Sequence, residues 1–289
     1  MRFAACHDGA CLTQALFARV DFARHEIEAL GKLAYFATKA GKTYVYNGID
    51  PERLRPGAAH RTEIYLRPRR TAHMKLDPHD LDHIAAGTLG HYNQRAEDFR
   101  EGTRDHDVSQ NIAALLRHME GEPPFTILDV GCGPGRDLKV FAGLGHVAIG
   151  LDGAERFVEM ARADTGCEVW QQDFLKLDLP EARFDGIFAN AALFHVPTQA
   201  LPGVLRSLYA ALKPGGVLFS SNPWGENQEG WNRGRYGAYH DLEAWRLHLS
   251  AAGFVELEHY YRPASLPREQ QPWLATVWRR PRRPGPDVG

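Results

Sequence analysis

Ile127-Leu128-Asp129-Val130-Gly131-Cys132-Gly133-Pro134-Gly135-Arg136-Asp137 is the stretch whose reading decides the fold. An apolar run of strand character enters three glycines at alternate positions and leaves through charged residues suited to the start of a helix. Glycines at a strand-to-helix turn remove Cβ atoms, so a ligand can lie against the backbone and reach main-chain amides. The spacing is GxGxG, and Arg136 stands where a dinucleotide fingerprint would place its last glycine. A dinucleotide fold aims helix N–H groups at a pyrophosphate. An acid beside the glycines, here Asp129, suits a ligand carrying an ammonium group.

Outward from this turn the signals alternate. Strands are expected at 125–130, 147–151, 168–170, 184–189 and 217–221, with helices at 137–144, 155–163 and 201–212. The last of these is stopped by Lys213-Pro214-Gly215-Gly216. A βαβα succession of this kind gives a mostly parallel sheet covered on both faces. Before it, Val108, Ile112, Leu115, Leu116 and Met119 fall on one helix face behind Asp107, a capping residue, and Pro123-Pro124 ends that helix. Leu242, Trp245 and Leu249 give a late helix ending at Gly253, and 254–261 and 273–279 read as two further strands. The second strand ends in Gly150-Leu151-Asp152, where a carboxylate can accept from both hydroxyls of a ribose. The third is followed by Asp173 and Phe174, the phenyl ring placed to line an adenine pocket.

Composition narrows the class. With 44% hydrophobic and 24% charged residues, a collagen-like, fully disordered or disulfide-scaffold chain is excluded. No apolar stretch reaches the roughly 18 residues of a membrane span. The four cysteines (Cys6, Cys11, Cys132, Cys167) form neither a CxxC pair nor a disulfide ladder, so a cytoplasmic, reducing location is expected and no structural zinc. The net charge of −2 hides an asymmetry: residues 1–75 hold 13 Lys+Arg against 7 Asp+Glu, and the remainder 21 against 29. Without aromatic-basic interleaving, that basic arm reads as a solvated tail, and nucleic acid is not the expected partner. Residues 1–73 lack sustained periodicity, although Ile27, Leu30 and 33–36 suit a short helix. They are expected to be a weakly ordered extension, or to precede a functional start at Met74, leaving 74–280 as the working domain and 281–289 as a disordered tail.

At these spacings the segments resemble the class I S-adenosylmethionine-dependent methyltransferases, and the likeness continues through residues 184–190 and the Lys-Pro-Gly-Gly turn. The resemblance implies a Rossmann-like, mostly parallel seven-stranded sheet with helices on both faces, and S-adenosylmethionine as cofactor. It implies that Gly131, Gly133 and Gly135 carry the methionine part, that Asp152 holds the ribose and that Asp173 meets the adenine amino group, with Asp129, Phe174 and Asn190 completing the cofactor set. Each element alone has an ordinary structural reading: Gly133 as a tight turn, Asp152 as a helix cap, Asp173 as a turn former.

Methyl transfer needs alignment and exclusion of water more than covalent machinery. His195, just beyond the fourth core strand, is placed to accept a proton, or equally to serve as a hydrogen-bonded wall residue. Tyr92 and Arg104 lie where this family has an N-terminal lid, and Arg104 could instead pair with neighbouring acids. The segment from Asn222 to Asp241 sits at the carboxyl edge of the sheet, where ligands bind. Its Trp224, Tyr236 and Tyr239 could wall a pocket and Arg233 or Arg235 could hold a carboxylate, or the aromatics could form a packed flap. No trio of oxygen ligands marks a metal site. The expected reaction is methylation at oxygen or nitrogen of a small polar molecule. The alternatives are a non-catalytic cofactor-binding adaptor, an NAD-dependent oxidoreductase, and a nucleic-acid methyltransferase using the basic arm. The oligomeric state stays open.

Overall fold

The computed structural model describes residues 75–282, and the backbone of 34–39 and 42–47. The chain divides into two units, Met1–Arg70 and Thr71–Gly289. In the first, β1 (Ala34–Lys39) and β2 (Lys42–Asn47) pair antiparallel, Ala34 opposite Asn47 and Lys39 opposite Lys42. This corrects the helix expected to reach Phe36. Tyr35, Phe36 and Thr38 face Tyr46, Val45 and Thr43 across the ladder, and aromatic and β-branched residues suit a pleated surface better than a helix. The rest of that expectation, including Ile27 and Leu30, lies outside the described residues, as do 283–289 of the expected tail.

The second unit opens with helices α1 (Pro78–Gln94), α2 (Ala96–Thr103) and α3 (Ser109–Leu116). A capping box starts α1: Asp80 N donates to Asp77 Oδ1 (2.8 Å) and Asp77 N to Asp80 Oδ2 (3.0 Å), with Pro78 in the first turn. Then follow β3 (Thr126–Val130), α4 (Arg136–Gly143), β4 (Val147–Asp152), α5 (Glu155–Thr165), β5 (Glu168–Gln171) and β6 (Phe184–Asn190). After α6 (Leu201–Ala211) and β7 (Leu212–Pro223) comes a hairpin of β8 (Gln228–Asn232) and β9 (Arg235–Tyr239). The unit closes with α7 (Leu242–Ala251), β10 (Val255–Arg262) and β11 (Trp273–Arg279).

Seven strands form one sheet in the order β10-β11-β7-β6-β3-β4-β5, in which only β11 runs against its neighbours. Alternation along the strands splits the core in two. Leu128 and Leu151 pack with Val204, Leu205 and Leu208 of α6 and with Trp245 of α7. Ile127 and Phe188 pack on the other face with Leu115 of α3 and with Leu138 and Phe141 of α4. The Lys-Pro-Gly-Gly segment departs from its expected role as a plain turn. Strand pairing already begins at Leu212, and the register slips between the pairs Phe184–Leu212 and Gly186–Val217, so the segment is an irregularity inside β7, with Gly215 at φ 88°.

Candidate active site

The chain leaves β3 toward β4 and β5 on one side and later returns to β6 on the other. Beyond the carboxyl ends of the strands, such a reversal opens the crevice where open α/β sheets bind ligands. A cavity of about 700 Å³ occupies it. At its floor, Gly131 N and Cys132 N both donate to Leu151 O (2.7 and 3.1 Å), strapping the glycine turn to the end of β4. A Cβ on Gly131 would lie 2.6 Å from Ala192 Cβ, whereas one on Gly133 would meet nothing closer than Phe99 Cε1 at 3.7 Å, leaving its backbone open to a ligand. Gly135 does not face the cavity. Its missing Cβ makes room for α5, since one placed there would stand 2.9 Å from Thr165 Cγ2. That corrects its assignment to the cofactor, because helix packing uses the position.

Asp152 lines the cavity and ties the floor together: Oδ2 accepts from Gly133 N (3.0 Å) and Oδ1 from Ala154 N (2.8 Å). Gly153 N–H also acts on this carboxylate, which still keeps lone-pair capacity for a ligand hydroxyl. Burial pushes its pKa up to about 6, against the pull of those backbone donors. Asp173 also lines the cavity, and its Oδ1 accepts from Leu175 N (2.9 Å) at the start of a 3₁₀ turn. Phe174 follows on the same wall, close above Gly131.

Asp129 is elsewhere. It is only 2% exposed, is not on the cavity wall, and its Oδ2 has no hydrogen-bond partner. Burial first, then the nearby Asp137 carboxylate, raises its pKa well above the usual carboxylate range. Of the acids beside the glycines it is Asp137 that lines the cavity, a residue that sequence reasoning passed over as a helix-start residue. Arg136 Nε and Nη2 donate to its two oxygens (2.6 and 3.0 Å). Asn190 Nδ2 also donates to Asp137 (3.1 Å), Asn111 Nδ2 donates to Asn190 Oδ1 (2.9 Å), and Tyr260 OH donates to Asn111 Oδ1 (2.9 Å). Asn190 thus lines the cavity at the head of a polar chain anchored in α3 and β10.

His195 lies on the cavity wall with both ring nitrogens engaged. Nδ1 is 2.6 Å from Tyr236 O and Nε2 is 2.7 Å from Tyr92 OH. A carbonyl only accepts, so Nδ1 carries the proton, Nε2 is the lone pair, and the Tyr92 hydroxyl donates to it. Burial lowers the imidazole pKa to about 4. The wall-residue reading therefore fits the geometry better than an open base. Tyr92 and Arg235 line the cavity beside it, the guanidinium carbon 5.8 Å from the Tyr92 ring centroid.

Of the other expected substrate residues, Tyr236 contributes its carbonyl but not its ring to this corner, because the ring packs against Trp231. Arg104 is exposed and pairs with Glu101 and Asp105, at 3.1 and 3.6 Å. Arg233 occupies the turn of the hairpin at φ 51°. Trp224 lies under Arg268, 5.0 Å from the guanidinium carbon, and the Tyr239 hydroxyl accepts from Asn232 Nδ2 (3.3 Å). None of these four lines the cavity.

The hairpin clasps α1. Tyr236 N donates to Thr88 Oγ1 (3.1 Å), and Gly87 and Gly234 admit Trp231 and His91 at distances that leave no room for a Cβ. Together α1 and α2 roof the cavity with Leu89, Tyr92 and Phe99, and the last two rings pack on Phe157 of α5. Ile84, Phe194 and Trp273 extend the apolar wall. Of this roof the sequence marked Tyr92, expected at a lid, but not Leu89 or Phe99. The wall is apolar where a polar acceptor was expected.

Residues 127–216 match a family model described as a methyltransferase domain. The chain is 35% identical over 133 residues to 24-methylenesterol C-methyltransferase 2 of rice, Oryza sativa subsp. japonica, covering 43% of this chain and 34% of that protein. It is 28% identical over 166 residues to sterol 24-C-methyltransferase of Clavispora lusitaniae, covering 52% and 42%. The chain thus spans between a third and a half of the length of these relatives. Among solved structures, the 1,6-didemethyltoxoflavin-N1-methyltransferase of Burkholderia thailandensis, with 1,6-didemethyltoxoflavin and S-adenosylhomocysteine bound, superimposes with a TM-score of 0.59. The identity is 24%, over 70% of this chain and 90% of that one, a likeness of fold.

Proposed function

We propose, from the chain's membership of the class I S-adenosylmethionine-dependent methyltransferases, that it moves the cofactor's methyl group to a small acceptor with a largely apolar body. One observation carries this reading: a single cavity joins a glycine floor and buried acids to a wall of aromatic and aliphatic side chains. The residues present suit the cofactor. Gly133 leaves open backbone, Asp152 keeps free lone pairs for ribose hydroxyls, Asp137 and Asn190 present oxygens near the turn for an ammonium group, and Asp173 with Phe174 offers an acceptor and a ring for adenine. When bound, S-adenosylmethionine supplies a methyl group on a positively charged sulfur. This chain's contribution is then placement and dryness: Tyr92, Phe99 and Phe157 close over the floor and hold water away from the acceptor. With both nitrogens of His195 committed, the site favours an acceptor atom that already offers a lone pair or electron pair.

A second reading, methylation at carbon of a sterol-like acceptor, is favoured by the names of the relatives and by the apolar wall. Tritium transfer from labelled S-adenosylmethionine to a panel of sterols, aromatic acids and polar metabolites separates the two. Turnover only with sterols supports the second reading, and turnover only with polar metabolites would refute an apolar-bodied acceptor.

A further inference from the structure

We propose that the acceptor carries a carboxylate and that Arg235 is its anchor; this rests on the methyl-transfer reading above. Three arginines line the cavity. Arg136 is spent on Asp137 in a two-pronged pair, and Arg262 Nη2 donates to Asp107 O (3.0 Å) beside that residue's carboxylate. Arg235 makes no ion pair among the described residues; it stands against the Tyr92 ring and donates a hydrogen bond to the Tyr92 hydroxyl, a neutral partner. A guanidinium left without a counter-ion beside apolar walls is a site for a planar anion, because its fork of donors matches a carboxylate bidentately.

Its position fits an acceptor rather than the cofactor. Arg235 adjoins Tyr92, and Tyr92 is bonded to His195. His195 stands three residues beyond Ala192, whose Cβ presses on Gly131 in the glycine turn. The hairpin holds it there: Tyr236, its neighbour, is bound through N–H to Thr88 and through C=O to His195, and the turn at Arg233 and Gly234 has the positive φ pair of a type I′ hairpin. The acids that suit the cofactor, Asp152, Asp137 and Asp173, stand at or just beyond the ends of β4, β3 and β5, away from the hairpin, so the charges of the two ligands are kept on separate elements. An acceptor fixed by its carboxylate needs no base at His195 to be held in place, in keeping with that residue's filled hydrogen bonds.

The test uses the full chain saturated with S-adenosylhomocysteine, whose own binding is measured first by calorimetry. No binding of S-adenosylhomocysteine would overturn the methyl-transfer reading itself. In the loaded protein, 3-phenylpropionate, indole-3-acetate and octanoate are titrated against their amides, with inorganic phosphate as a further arm. The proposal expects at least one carboxylate to bind at least tenfold tighter than its amide. Arg235→Gln should erase that ratio and Arg235→Lys restore part of it, while S-adenosylhomocysteine still binds both variants. Equal binding of acids and amides, or no binding of either to the loaded protein, would overturn it. So would a carboxylate preference that survives in Arg235→Gln, or phosphate binding as tightly as the best carboxylate.

Discussion

At the scale of single residues, Asp152 concentrates the chemistry. Ribose hydroxyls donate to a carboxylate better than to a carboxylic acid, and the pKa of about 6 puts the change within reach of ordinary buffers. Affinity for S-adenosylhomocysteine is therefore expected to be level above pH 7 and to fall below pH 6, approaching about tenfold per unit. Titrations at pH 5, 6, 7 and 8 check this, and Asp152→Asn should flatten the profile. Gly131→Ala is a packing test: with φ at 71° and Ala192 Cβ 2.6 Å from the new methyl, the variant should lose about 1–3 kcal/mol in urea unfolding. That Asp152, Gly131 and Gly133 come to the cavity was legible because they follow strands of unmistakable pattern. The displacement of Asp129 by Asp137 was not, because whether an acid before a turn points up or down depends on the pleat and on Asn111 and Asn190, which come from distant segments.

At the scale of elements, the roof and the hairpin form one device. Helix α1 buries little beyond Ile84 and Thr88, so its sequence carries a weak apolar stripe and its identity as a helix was missed. The hairpin was missed for a related reason: Asn232-Arg233-Gly234 marks a turn only once the flanking residues are seen to pair, Trp231 with Tyr236 and Asn232 with Arg235. The two meet where Gly87 faces Trp231, and an added Cβ would come 2.5 Å from Trp231 Cη2. Gly87→Val is expected to force the indole out and loosen the roof, raising hydrogen exchange in 78–103 and 228–239 together. Combining it with Trp231→Ala should recover most of that protection. Independent, additive losses would mean that the two elements do not act as a unit.

At the scale of the whole molecule, buried titratable groups set how stability varies with pH. His195 and His240 have pKa values of about 4, each lowered first by burial, against 6.5 in the ordinary state. Between pH 4 and 6 the unfolded chain binds more protons at both, so each makes stability rise with pH. Asp152 and Asp129 oppose them over nearly the same window, since a raised pKa means that the native state holds the proton more tightly. Two histidines against two aspartates nearly cancel, so these four groups should leave stability almost level from pH 4 to 6. Urea unfolding at half-unit steps measures the slope, and His240→Gln should turn it negative. The seven-stranded architecture that carries these groups was readable from the alternation of strand and helix signals between 125 and 221, because buried parallel strands are short continuous apolar runs bounded by turns. The apolar character of the cavity was not readable, because Ile84, Leu89, Phe99, Phe157, Phe194 and Trp273 come from five separate stretches and converge only in three dimensions.

The most direct measurement is calorimetric titration of S-adenosylhomocysteine into the wild-type chain and into Asp152→Ala at pH 7.5. The account expects saturable one-to-one binding to the wild type and affinity weaker by about 1.5–3 kcal/mol, or roughly ten- to a hundredfold, in a variant that still unfolds cooperatively. No binding to the wild type, or equal affinity in the two proteins, would contradict it.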